Sequence, residues 1–141
     1  IKTIIMKFKY LSHTADAKFV AYGKDIDEVF ANSALAMFNI LGDTNKVKVT
    51  KKIKVNLNGK NYESLLRDFL EELLFLLETE KLFLFEIKNL KISKDFVLSC
   101  VAEGDDLNNY ELKSDIKAVT YSDMKISKIN KGYEAVVVVD I

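Results

Sequence analysis

The chain contains no proline and no tryptophan, and only one cysteine, one histidine and one arginine in 141 residues. Each shortage excludes something. With Cys100 alone, neither an internal disulfide framework nor a thiolate zinc site can form. A lone cysteine also points to a reducing compartment such as the cytoplasm. With His13 alone, a multi-histidine metal site is out of reach. Positive charge is not in excess: lysine plus arginine total 21 and aspartate plus glutamate total 21. A protein that grips nucleic acid through its phosphates needs a basic surplus, so tight direct nucleic-acid binding is not expected. The five glycines form neither G-x-x-x-x-G-K nor G-x-G-x-x-G, which removes the standard phosphate cradles. No apolar run approaches the roughly 20 residues that span a bilayer, so no membrane is expected. The stretch before Met6 is too short for a secretory signal. Met6 is the expected start, with residues 1–5 as an N-terminal extension of a single domain over residues 1–141.

What is present suits a packed domain: 49% of residues are hydrophobic and 30% charged. Segments 8–11 and 17–22 read as short strands around the polar stretch Ser12-His13-Thr14-Ala15-Asp16. Asp25 and Glu28 mark a capped helix start. Val29, Phe30, Ser33, Met37 and Leu41 follow at helical spacing, and Gly42 marks the stop. Val47, Val49, Ile53, Val55 and Leu57 share one parity of a strand with lysines opposite. A second helix spans 62–79, with Glu63, Arg67 and Glu71 four apart on its polar side. Arg67 itself reflects genomic base composition more than mechanism. Strands return at 82–92, 96–103, 115–129 and 133–140. The five glycines, Gly104 included, are read as turns between these segments. The expected fold is α+β: one largely antiparallel or mixed sheet with two helices packed on one face.

Polar residues that interrupt a strand pattern are the candidates for chemistry. His13 and Asp16 lie in such a segment, where turn capping is the simplest role. Ser12, His13 and Asp16 are too close in sequence to form a catalytic triad. The strand at 133–139 is apolar enough to be central, and it ends in Asp140-Ile141. A side-chain carboxylate followed at once by the main-chain carboxylate is an anionic pair. A hard divalent cation would relieve its repulsion; a solvated terminus is the plainer alternative. Lys117, in Lys117-Ala118-Val119-Thr120-Tyr121, fits a solvated face or a phosphate or partner contact. Cys100 reads as small core filler.

Together these motifs resemble the archease family, the small protein partners of the RNA-splicing ligase that joins tRNA halves. The pieces are Tyr10-Leu11-Ser12-His13-Thr14-Ala15-Asp16, Ala21-Tyr22-Gly23, Asp27-Glu28-Val29-Phe30 and Ala34-Leu35-Ala36-Met37-Phe38 before Gly42-Asp43. Next come Leu65-Leu66-Arg67-Asp68-Phe69-Leu70-Glu71-Glu72-Leu73-Leu74, the Lys117 element and the terminal Asp140-Ile141. The resemblance implies a protein that is not itself a ligase. It implies an activator that promotes guanylylation and turnover of the ligase and widens its nucleotide use. It also implies a divalent cation, calcium in the family with Mg²⁺ or Mn²⁺ as substitutes, held by Asp16, Asp140 and the carboxylate of Ile141. Lys117 is implied as a functional contact, with His13 and Asp43 as weaker carry-overs. Ser12 and Ser122 depart from the pattern, since many relatives carry glutamate and histidine there. Two other classes stay open: a metal-dependent phosphodiesterase using Asp16, Asp140 and His13, and a metal-free interaction or chaperone domain.

Overall fold

The computed structural model describes residues 6–11 and 16–141. The expected extension at 1–5 and the candidate His13 lie outside the described residues. In chain order the elements are β1 (Phe8–Leu11), β2 (Ala17–Gly23), α1 (Ile26–Leu41), β3 (Lys51–Asn58), α2 (Tyr62–Thr79), β4 (Leu82–Ile92), β5 (Val97–Asp106), β6 (Ala118–Ile129) and β7 (Gly132–Asp140). Short 3-10 turns at Thr44–Lys46 and Leu107–Asn109 precede β3 and follow β5.

Both helices start where local chemistry directs. The Asp25 carboxylate accepts the Glu28 N–H at 2.8 Å, and Glu28 accepts the Lys24 N–H. The Asn61 side chain caps α2 by accepting the Ser64 N–H. These bonds satisfy main-chain donors that have no partner inside the helix.

The architecture is α+β, but the strands divide into two antiparallel sheets where one was expected. The first has the order β1-β2-β7-β6, the second β3-β5-β4. Each helix touches both: α1 packs on β2, β7 and β4, and α2 on β6, β4 and β3. Phe30 meets Phe69 between the helices with ring centroids 6.0 Å apart. Phe19, Val137 and Val139 from the first sheet and Leu84, Leu98 and Ala102 from the second join them in one core. Apolar helix faces at 3.6 spacing and strand faces at period 2 thus bury one another.

Two details depart from the sequence reading. The strand expected from Val47 begins only at Lys51, because the Asp43 carboxylate caps a 3-10 turn by accepting the Asn45 N–H. Gly104 is not a turn residue. It lies inside β5, where a Cβ would fall on the carbonyl oxygen of Phe83 in β4, beside the register shift between Leu84 and Glu86. Only glycine permits that approach.

A buried carboxylate closes the end of β5. Asp105 is 4% exposed. It accepts the Thr50 hydroxyl, the Tyr110 hydroxyl at 2.8 Å, the Asn109 amide and the Asp106 N–H. Tyr110 in turn accepts the Lys48 N–H at 3.0 Å. One side chain therefore ties the lead-in to β3 to the segment that leaves β5 for β6. The Thr50 and Tyr110 hydroxyls, then the Asp106 N–H, hold its carboxyl well below the usual carboxylate range. A depressed pKa contributes stability above the unfolded value, and the contribution fades as pH falls below it. The urea midpoint of the parent should thus fall as pH drops from about 5 to about 3 more steeply than that of Asp105→Asn, which lacks the ionisable group. At neutral pH, Asp105→Asn should melt lower than the surface control Asp95→Asn. Parallel acid profiles would refute the assignment. Gly104→Ala should cost on the order of 1–3 kcal/mol by forcing β4 and β5 apart, as urea unfolding can measure.

Candidate functional site

The central strand of the first sheet is β7, flanked by β2 and β6. Ala17 pairs with Val139, so Asp16 leaves the ladder beside Asp140. On the other side Ala118 pairs with Asp140, and the Lys117 N–H donates to the Asp140 carbonyl at 2.8 Å. The register therefore gathers three distant stretches of sequence at one end of one sheet: Asp16, Asp140-Ile141 and Lys117.

The face follows from period-2 alternation. Val139, Val137 and Phe19 point into the core, so Asp140 shares the opposite face with Lys18 and Val138. Both aspartates are half-buried, and Lys117 and Ile141 are exposed. Lys18 pairs with Asp123 at 3.6 Å. Among the described residues no group of three or more His, Cys, Asp or Glu side chains is placed to hold a metal ion. Asp16 and Asp140 are a two-carboxylate set, and an oxygen-only set of that kind suits a hard cation that keeps solvent ligands.

Asp43 is placed elsewhere. It caps the Thr44–Lys46 turn and lines an open cavity of about 570 Å³ with Gly42, Phe83, Tyr110 and Lys113, a set that includes neither Lys117 nor Asp140. A second open cavity, about 640 Å³, has Lys117, Ile116 and Asp115 on one side and Leu74, Phe75 and Glu78 of α2 on the other. Cys100 is buried, and burial pushes its thiol up to about 12, as core filler requires.

What holds the Lys117 stretch escaped the sequence reading. β6 is an edge strand, and both main-chain groups of Val119 face away from β7. The Glu71 carboxylate accepts the Val119 N–H at 3.0 Å, and Arg67 Nε donates to the Val119 carbonyl at 3.3 Å. The Arg67 guanidinium lies 4.9 Å from the Tyr121 ring centroid and 3.9 Å from Glu71. Further along, the Glu63 carboxylate accepts the Ile126 N–H at 3.2 Å. The trio spaced four apart on the polar side of α2 thus closes the edge of a sheet, and the single arginine is not idle.

A model of the archease protein family (MTH1598/TM1083) matches residues 8–141. Protein archease of Methanosarcina mazei is 40% identical over 140 residues, covering 96% of each chain. Protein archease of Pyrococcus abyssi is 38% identical over 130 residues, covering 89% of this chain and 92% of its own. The solution structure of Methanobacterium thermoautotrophicum protein 1598 superposes with a TM-score of 0.79 at 35% identity, covering 96% of this chain and 99% of that one. A match of this extent and identity, over a fold built the same way, decides the matter: the chain belongs to the archease family.

Proposed function

We propose that the protein activates an RNA-splicing ligase, promoting its guanylylation and repeated turnover, and that a divalent cation bound at Asp16, Asp140 and the Ile141 carboxylate serves that role. The observation that carries the reading is the convergence of Asp16, Asp140 and Lys117 at one end of the first sheet. Asp16 lies more than 100 residues before both Lys117 and Asp140 in sequence, and these residues belong to the motifs on which the family resemblance rests.

The chemistry divides between the two proteins. The ligase would hold RNA and nucleotide and carry out the covalent step. This chain would present an oxygen-ligated site and a lysine beside it. Asp16 and Asp140 would hold the cation, which supplies positive charge to an otherwise anionic strand end. Lys117, exposed and one residue before the Ala118–Asp140 pair, would reach a carboxylate or phosphate of the partner. A net charge of zero fits a protein that meets the RNA through a partner rather than by its own basic surface.

Calcium titration followed by NMR should show a site with a dissociation constant on the order of 10⁻⁴ to 10⁻³ M, as few-ligand sites have. Asp140→Asn should weaken it by at least about tenfold, since loss of even an outer-shell partner costs 10–100-fold. Without metal, Asp140→Ala should melt at or above the parent temperature, because one of two adjacent negative charges is gone. An unchanged calcium affinity in Asp140→Asn would refute the site.

Activation is read as covalent GMP on the ligase over time in a single turnover. Asp16→Ala and Asp140→Ala should abolish stimulation while remaining folded. Lys117→Ala should reduce stimulation and keep calcium. An extension after Ile141 should lower stimulation with little effect on melting. Full stimulation by a folded Asp140→Ala would overturn the metal-assisted reading, and phosphodiester hydrolysis by the purified protein alone would favour the phosphodiesterase alternative.

A further inference from the structure

We infer that Arg67 is a positioning residue for Lys117, acting through Val119 and Tyr121. The inference rests on the reading that Lys117 meets the ligase. Between Lys117 and the irregularity in β6 lie only three ladder pairs: Ala118 with Asp140, Val119 with Val139, and Thr120 with Val138. Pairing does not resume until Lys125. So short a ladder on an edge strand is weakly held from one side alone.

Helix α2 supplies the other side. Val119 gives its N–H to Glu71 and its carbonyl to Arg67, so both main-chain groups turned from β7 are occupied. The same guanidinium faces Tyr121 and approaches Glu71. Arginine suits this position because its planar group can donate from its edge and stack through its face at once. Lysine has a single point of charge and no plane. Val119 is two residues beyond Lys117, and the Lys117 N–H is itself bonded to Asp140. With β7 on one side and α2 on the other, the backbone that bears Lys117 is fixed beside the aspartates.

The test uses Arg67→Met, which removes the planar donor and the stack but keeps a good helix former, and Arg67→Lys, which keeps the charge alone. Single-turnover guanylylation of the ligase is measured across a range of concentrations of each variant. Exchange of the Val119 amide hydrogen is followed by NMR, and melting is recorded. Both variants should lower the saturating rate of stimulation by at least about tenfold, the scale expected of a small misplacement. Val119 exchange should quicken. In a Lys117→Ala background the Arg67 changes should add no further loss. Should Arg67→Met fail to fold, Tyr121→Leu, which removes only the stack, carries the same three readouts. Full stimulation by a folded Arg67→Met would overturn the inference, as would unchanged Val119 exchange or a loss that persists at full size in the Lys117→Ala background. The two readings fail separately. Full stimulation by Lys117→Ala removes the reading of Lys117 and this inference with it. Loss in Lys117→Ala with full stimulation by Arg67→Met removes this inference alone.

Discussion

A strand at the edge of a sheet presents main-chain donors and acceptors that need partners other than a neighbouring strand. The first sheet of this protein meets that demand at β6 with side chains from one helix. Arg67 and Glu71 take both free groups of Val119, and Glu63 takes the N–H of Ile126. Much else follows from this contact. It sets α2 against β6 while the opposite, apolar face of the helix enters the core through Leu65, Leu66, Phe69 and Leu73. It also closes an edge that would otherwise be open to pairing with another chain.

The second sheet has its own fastening. Asp105 holds Thr50, Asn109 and Tyr110 together, and Tyr110 holds Lys48. The segment between β5 and β6 crosses from one sheet to the other, and it is pinned along its course. Tyr110 fixes its start, the Lys113 N–H bonds the Leu41 carbonyl at the end of α1, and Ile116 is buried just before Lys117. Two polar fastenings at the margins and one apolar core between them keep two sheets and two helices in a single arrangement.

Much of this was legible in the sequence. The bounds of α2 and β4 follow from periodicity, because long amphipathic elements repeat their signal many times. The start of α1 follows from its cap at Asp25, and the central place of β7 from its run of valines. The division into two sheets was not legible, since strand patterns say which face is buried and not which strands are neighbours. The start of β3 was missed because Val47 keeps the strand parity while the Asp43 cap bends the chain. Gly104 was misread because close approach of two backbones leaves no trace but the glycine itself. The role of Arg67 leaves no mark in the sequence, because i,i+4 charge spacing looks alike whether the acceptor is solvent or a strand edge. Asp105 had a usable signal, a carboxylate directly after Gly104 in an apolar strand, which is the same rule that drew attention to Asp16. The motifs name Asp16, Asp140 and Lys117 as candidates, but only the ladder puts them at one end of one sheet.

Geometry at that meeting point is coupled to the core. Side chains alternate strictly across a strand, so a slip of one residue between β2 and β7 would turn either Phe19 or the pair Val137 and Val139 out of the core. The same slip would part Asp16 from Asp140. The apolar residues that make the register costly to change therefore also hold the carboxylates together, although none of them touches the site. The cost of changing the register is set by buried valine and phenylalanine, not by the charges at the strand end. The end of the sheet can then keep a defined shape whatever its carboxylates meet. That is what a protein needs if its role is to offer the same surface repeatedly to a partner that turns over.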